Sequence, residues 1–491
     1  MTPRPRSSPT TRIPRLRQLA RVLASVAAGL GLLATPSLAA GPANVQGAWS
    51  AGHALHVARM LAGTVSLPDG RILLTGGFGY PGMLASAEIY EPTRGNWVTA
   101  APLVSPRFGH TATLLGNGRV LVAGGANLTA QYLDAAEVYD PPTNTWAIVA
   151  PMTQPRAFGT ATRLADGRVL VAGGRNTSKA VALASTELFD PQTATWTPAA
   201  SMRTARYHFA ATLLHDGRVL VDGGQGAADQ ELTSAEVYDP QTNAWTPVGS
   251  MHTVRANQTA NLLPDGRVLV VGGGDKSPGF TAAVETFSPS TNAWSLLAPI
   301  PDARGYATAT GLPGGRVLVT GGFGNTGDLA SAELFDPLAN RWAPAGPLAT
   351  PRGEASAALL PNGRVVVAGG QRYASGAFLT TTEVFDPTRV THVFLSALAV
   401  SPKTVRGQLP ITVTYRASSA GSTVIRIRRT SVIGASTLLP TRLVHHDAAG
   451  SNRVSVTVAR RGHPALPGVY ELVLTRPSAP PLTIAFTIVK K

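Results

Sequence analysis

One pattern recurs seven times and leaves the rest of the chain little freedom. A Trp is followed ten residues later by an Arg, seventeen after that by a Gly-Gly pair, then by a Glu opening Glu-Val-Tyr-Asp-Pro or a variant, with the next Trp nine residues further on. The Trps are Trp49, Trp97, Trp146, Trp196, Trp245, Trp294 and Trp342; the Args are Arg59, Arg107, Arg156, Arg206, Arg255, Arg304 and Arg352. The pairs begin at Gly76, Gly124, Gly173, Gly223, Gly272, Gly321 and Gly369. Only the stretch from Gly-Gly to Glu varies, from twelve to fourteen residues. A period of about 49 residues marks one supersecondary unit per copy, which buries its faces only against neighbouring copies. One loop per unit is left free to differ.

Within a unit, the segment after each Arg, such as Ala210 to Leu214, reads as a strand that runs into a two-residue turn. The turns are Asp69-Gly70, Asn117-Gly118, Asp166-Gly167, Asp216-Gly217, Asp265-Gly266, Gly314-Gly315 and Asn362-Gly363. Asn-Gly and Asp-Gly suit a type I′ hairpin, whose central residues both need positive φ. The next strand, as in Arg168-Val169-Leu170-Val171-Ala172, is apolar throughout and so packs on both faces. Glu-Val-Tyr-Asp supplies a third strand and the Trp segment a fourth, which makes each repeat a four-stranded propeller blade. Trp49 precedes the first Gly-Gly, and the last repeat, ending Glu383-Val384-Phe385-Asp386-Pro387, has no Trp after it. The phase predicts that the strand around Trp49 completes the last blade, closing a ring of seven with no sheet edge at the seam.

The ends read differently. Residues 1–40 hold six Arg and no acid, then the apolar run Val22 to Ala34, then Ser37-Leu38-Ala39-Ala40, as in a secretory signal. The apolar run is too short to span a bilayer, so no transmembrane segment is expected in the mature chain, which is exported to the periplasm or beyond. There is no Cys, so neither disulfides nor a lipid-modified Cys hold the protein. Beyond about 393, short alternating runs at Leu409 to Tyr415, Thr423 to Arg428, Arg453 to Val458, Val469 to Thr475 and Leu482 to Val489 suggest an immunoglobulin-like sandwich. The expected division is a signal peptide (1–40), a propeller (41–390) and a β-sandwich (391–491), an all-β fold.

Residues 388–491 carry fourteen Lys or Arg against Asp447 and Glu471. Their Arg426, Arg428, Arg429, Arg460 and Arg461 suit an anionic cell-surface polymer. No nucleic-acid partner is expected.

Up-and-down strand order puts the Asp-Gly and Asp-Pro turns on one rim, and the variable loops with the starts of the inner strands on the other. On that second rim, two residues after each Arg, stand Leu61, Gly109, Phe158, His208, Asn257, Tyr306 and Glu354. The last four are polar and adjacent. Nearby loops add Phe280, Phe323, Arg372, Tyr373, Phe78 and Tyr80. Aromatic faces beside a carboxylate and an amide suit a sugar or a peptide end. The ligand-binding candidates are therefore Tyr306, Glu354, Asn257, His208, Tyr373, Arg372, Phe323 and Tyr80. The seven Args, present in every copy, read as structural struts paired with the repeated Glu. No Ser-His-Asp spacing or phosphate-cradling Gly loop is present, and no catalytic residue is assigned.

Arg, Asp-Gly-Arg-Val-Leu-Val, Gly-Gly, Glu-Val-Tyr-Asp-Pro and Trp together resemble kelch repeats over residues 46–387. A seven-bladed kelch propeller followed by a sandwich is in turn similar to galactose oxidase and related copper radical oxidases. The likeness includes Ala303-Arg304-Gly305-Tyr306, His445-His446, Asn452-Arg453 and Pro467-Gly468. It implies copper held by two Tyr and two His, one His arriving on a loop of the sandwich. Tyr306 then stands at a Tyr ligand, His445 or His446 at the threaded His, and Tyr207-His208 near the Tyr-His pair, displaced by one residue from its Arg. The radical cofactor of those enzymes is a Tyr joined to a Cys, which this chain lacks. The leading expectation is an exported binding protein, without cofactor, that recognises a carbohydrate or protein partner through the variable rim. The alternative is a metal-dependent oxidase of the galactose oxidase type, or a decayed relative, with Tyr306, His208, His445 and His446 as the metal candidates.

Overall fold

The computed structural model describes residues 45–391 apart from 128–131, 177–180 and 276–278, and, between 395 and 489, the backbone of strand segments. The expected leader, residues 1–40, lies outside the described residues. Seven four-stranded antiparallel sheets form a ring of blades. Blade 1 is Gly63–Ser66, Ile72–Thr75, Ala87–Glu91 and Asn96–Ala100, innermost strand first. Blades 2 to 6 repeat this order over residues 111–149, 160–199, 210–247, 259–296 and 308–344. Blade 7 takes three strands from Ser356–Leu359, Val365–Ala368 and Thr382–Thr391, and its fourth from Val45–Ala51. Trp49 pairs with Phe385 and Ala51 with Glu383, so the seam closes as the phase of the repeat requires. Among the described residues no α-helix forms, and no helix is long and apolar enough to cross a membrane.

The second strand of every blade is buried along its whole length, from Ile-Leu-Leu-Thr at 72–75 to Val-Val-Val-Ala at 365–368. β-branched residues fit a pleated sheet covered on both faces. Their side chains build an apolar cluster at each of the seven blade junctions. At the seam, Ile72, Leu74, Tyr90 and Trp97 of blade 1 meet Leu360, Val366, Ala368 and Val384 of blade 7. Each Trp packs at a tilt against the aromatic residue of its blade's third strand, as Trp245 does against Tyr238 at 5.1 Å and 43°. The indole N–H of Trp245 also donates to Ala200 O of the preceding blade at 2.9 Å.

The Gly pairs fasten neighbouring blades. The second Gly N–H donates to the carbonyl of the next blade's Arg, from Gly77 to Arg107 O (2.8 Å) round to Gly370, which closes the circle on Arg59 O (2.8 Å). A Cβ on the first Gly would strike that same carbonyl, at 2.5 Å for Gly76. Only Gly permits so close an approach at positive φ.

The inner hairpins differ from the type I′ turns expected. None of Asp69, Asn117, Asp166, Asp216, Asp265 and Asn362 has positive φ, while the Gly after each does, at +79 to +90°. Gly70 N–H donates to Leu67 O, and Leu67 N–H to Arg71 O, which leaves a three-residue loop. This is a type I turn followed by a left-handed Gly, favoured here by Pro68 at the second turn position and by Asp69 Oδ1, which accepts the Arg71 N–H at 3.0 Å.

The repeated Args are struts, as their presence in every copy predicted. Arg206 is fully buried, donating to Gly223 O, Ser234 O, Ser234 Oγ and Glu236 Oε1 at 2.7 to 3.1 Å. Glu236 also accepts the backbone N–H groups of Arg203 and Thr204. Five further blades repeat the Arg–Glu pair. Blade 6 departs from it. Pro301 has no N–H to give, and Asp302 draws Arg304 towards itself at 3.5 Å. Glu333 is buried all the same, and burial pushes its carboxyl up to about 7, against the pull of Arg304 and with help from Asp302.

That carboxyl makes stability depend on pH. With a folded pKa above the ordinary 4.5, the native state holds a proton that the unfolded chain releases, so stability is lost as pH rises through about 7. Glu333→Gln, neutral throughout, should therefore stabilise the protein by about 3 kcal/mol at pH 8 and by under about 1 at pH 5. Denaturant midpoints at the two pH values test this, and an equal shift at both would refute it.

Beyond the propeller, strands form a three-stranded sheet (Leu395–Ser401, Pro410–Ala417, Gly450–Thr457) and a five-stranded one. The five-stranded sheet comprises Thr404–Arg406, Ala479–Val489, Gly468–Arg476, Gly421–Thr430 and Ser436–Asp447. The sheet content agrees with the all-β expectation.

Candidate functional site

The two rims separate as the strand order predicted. Asp166, Asp216, Gly217, Asp239 and Pro240 share one hollow, so the Asp-Gly and Asp-Pro turns lie on one side. At the other mouth of the ring, all seven residues that stand two after the Args line a single cavity of about 310 Å³. Their backbones share a conformation. Leu61, Gly109, Phe158, His208, Asn257, Tyr306 and Glu354 have φ between +51 and +61°. That region is uncommon for any residue with a Cβ and a genuine outlier for a bulky one.

A run of six interblade hydrogen bonds, from Gly109 round to Leu61, holds them there. Phe158 N–H donates to Gly109 O, His208 to Phe158 O, Asn257 to His208 O, Tyr306 to Asn257 O and Glu354 to Tyr306 O, at 2.8 to 3.0 Å. Leu61 N–H donates to Glu354 O at 3.3 Å across the seam. Strain kept in one place by surrounding structure fixes where side chains aim, and here it turns seven unlike side chains into one opening.

The residues that follow form a second tier of the same cavity: Ala62, His110, Gly159, Phe209, Gln258, Ala307 and Ala355. His110 Nε2 lies 2.9 Å from Thr75 Oγ1, and burial, with Arg107 nearby, holds its pKa down to about 3. Gln258 donates to the backbone and side-chain oxygens of Asp222, whose carboxyl burial raises to about 6. Counting one residue further from each Arg would have found this tier.

Of the candidates, His208, Asn257, Tyr306 and Glu354 meet at the mouth. The His208 ring stacks on Phe158 at 4.5 Å and meets the Tyr306 ring edge-on at 6.4 Å. Glu354 Oε2 accepts from Gln371 Nε2 at 2.7 Å, and burial pushes its carboxyl up to about 7, opposed by that bond. Phe323 is buried, its ring backing Tyr306 at 5.5 Å, so it supports the site rather than facing it. Tyr373, Arg372 and Tyr80 stand further out on exposed loops. The Tyr373 ring lies 5.8 Å from Phe323, and the Tyr80 ring 5.1 Å from Phe378.

These contacts belong to a collar. Tyr80, Phe378, Phe78, Phe108, Phe158, His208, Tyr306, Phe323 and Tyr373 follow one another in ring-to-ring contact around the mouth. Phe108 and Phe378 were not among the expected rim residues, since Phe108 stands one residue after its Arg rather than two and Phe378 lies late in its loop.

The donor set that the oxidase resemblance implies is only partly present among the described residues. Tyr306 and His208 face one another, whereas the Tyr207 hydroxyl donates to Asp229 at 2.6 Å under Arg175. The Tyr207 and His208 rings nevertheless lie only 5.1 Å apart. His445 and His446 lie in the strand Ser436–Asp447, opposite Thr423 and Ser422, and their side chains fall outside the described residues. No group of three His, Asp or Glu side chains able to hold a metal ion occurs among the described residues.

Comparison with known proteins addresses the repeat itself. The family model for the KLHDC2/KLHL20/DRC7 kelch-repeats domain matches residues 63–254, and that for the kelch motif matches residues 304–349. The blades within those two stretches are kelch repeats. Among solved structures, this kelch propeller is similar to a novel fungal alcohol oxidase with catalytic diversity among the AA5 family, in complex with copper. That likeness has 19% identity and a TM-score of 0.60, over 90% of this chain and 99% of that one. YjhT aligns at 15% identity and a TM-score of 0.49, over 60% of this chain and 99% of that one. No curated protein matches the sequence. At such identities the oxidase likeness speaks for the fold.

Proposed function

We propose that the chain is an exported kelch-propeller binding protein that recognises a carbohydrate or protein partner at the mouth formed by His208, Asn257, Tyr306 and Glu354. The supporting observation is the circle of left-handed residues, which points different side chains from successive blades into one concavity. A scaffold feature would repeat from blade to blade, as the Arg–Glu struts do. These positions keep the backbone and change the side chain, which is how a binding surface is laid on a constant frame. The cavity of about 310 Å³ is at the small end for ligand sites, so it suits one residue or one sugar ring of a larger partner. The basic C-terminal segment, which we read as an immunoglobulin-like sandwich, would hold the protein on anionic cell-surface polymer.

Screening the full chain against glycan and peptide arrays should find a ligand. Tyr306→Ala combined with Glu354→Ala should weaken it by about 2 to 4 kcal/mol, roughly 30-fold or more. A ligand that survives the double substitution binds elsewhere, and the assignment of the mouth is then wrong. The oxidase alternative is met with the same preparation, since stoichiometric copper uptake with peroxide formation from alcohols would replace the binding reading.

A further inference from the structure

We propose that the group received at this mouth is the ammonium of an amino sugar within a glycan. The inference rests on the binding reading above and names the ligand's chemistry. Of the fourteen residues that line the cavity, Glu354 is the sole carboxylate, and neither Lys nor Arg is among them. The other lining groups are amides, aromatic rings, imidazoles and aliphatic side chains. A lone carboxylate with no Lys or Arg beside it in a half-buried, aromatic-walled hollow attracts cations and repels anions. Gln371 Nε2 fixes Glu354 Oε2 at 2.7 Å, which orients the carboxyl without neutralising it.

The walls add to that preference. Phe158 and Tyr306 lie in the same cavity as Glu354, and aromatic faces hold ammonium groups while covering the apolar face of a pyranose. The Asn257 amide and the Tyr306 hydroxyl each give or accept hydrogen bonds, which sugar hydroxyls match. A lysine side chain would bring only methylenes past those groups. The sugar therefore uses more of the site than a lysine of a protein partner. Burial, which raises the Glu354 carboxyl to about 7, makes it a weak anion until a cation arrives.

Calorimetric titration of the full chain at pH 7 with the β-1,4-linked tetramer of glucosamine, and with its fully N-acetylated counterpart, tests this. The free amine tetramer should bind at least about tenfold tighter, because a hydrogen bond to a charged group contributes roughly 1.5 to 3 kcal/mol. Glu354→Gln, checked for folding by thermal melting, should bring the amine tetramer down to the affinity of the acetylated one. Equal affinity of the two tetramers, both weakened by Tyr306→Ala, would overturn the ammonium inference while leaving the mouth as the binding site. Binding of either tetramer that ignores Tyr306→Ala would remove the site assignment and the inference together. If the folded protein binds neither tetramer but a lysine peptide occupies the mouth, the amino sugar is also wrong.

Discussion

Arg206→Ala should lower the free energy of unfolding by about 3 to 5 kcal/mol, the range found when one partner of a buried ion pair is removed. Three effects point the same way. The substitution strips the donor from Gly223 O, which then lies buried without it, and leaves Ser234 O with only the Gly223 N–H. It leaves the Glu236 carboxylate with only the Arg203 and Thr204 amides. It also opens a void where a fully buried guanidinium stood. Replacing Arg206 and Glu236 together by Met and Leu should cost less than Arg206→Ala alone, since no unpaired charge then remains. Denaturant unfolding of the three variants decides it. A loss below about 1 kcal/mol for Arg206→Ala would mean that the strut is ornamental.

Trp97→Ala should be of similar size, about 3 to 5 kcal/mol, because it deletes a large aromatic side chain from a closed core. Trp97 is 3% exposed, packs at a tilt against Tyr90 at 5.1 Å and donates across the seam to Thr382 Oγ1 at 3.0 Å. Its neighbours Leu360, Val366 and Val384 belong to the last blade, so the variant should also loosen the seam. Limited proteolysis should then cut near residues 45–51 before it cuts elsewhere in the ring. Trp196→Ala is the control. Trp196 is only half-buried and sits between two blades continuous in sequence. Equal losses for the two Trps, or unchanged cleavage at the seam in Trp97→Ala, would count against the special role of that junction.

Much of this architecture could be read in advance because the repeat fixes three distances per blade. Trp49, with no Gly-Gly before it, and the final Glu383, with no Trp after it, together implied the shared blade, and strand pairing of Trp49 with Phe385 bears this out. Counting from the Args likewise found the ring of seven lining residues, since one constant offset in every copy must face one way. What escaped was set by particular side chains. The turn type goes with the Asp or Asn oxygen that accepts the amide two residues on, as Asp69 does from Arg71 and Asn117 from Arg119, which was not weighed. Pro301 and Asp302, which divert Arg304 from Glu333, break the repeat without touching any of its signature positions. Phe323 looked like a binding residue from its loop, whereas packing turned its ring behind Tyr306. The left-handed backbone of Leu61, Phe158 and Tyr306 has no local cause in these residue types, and only hydrogen bonds from neighbouring blades explain it.

The strand Val45–Ala51 also sets a timetable. Ser50 donates to Val384 O, a partner 334 positions later. At ribosomal speeds of about 5 to 20 residues per second, that early segment waits roughly 20 to 70 s for its mate to be synthesised. Six blades can stack progressively during this interval, but the circle stays open until the final hairpin emerges. Relocating residues 45–51 behind residue 391 by circular permutation would make the closing step local, and such a rearranged chain should reach its native state sooner.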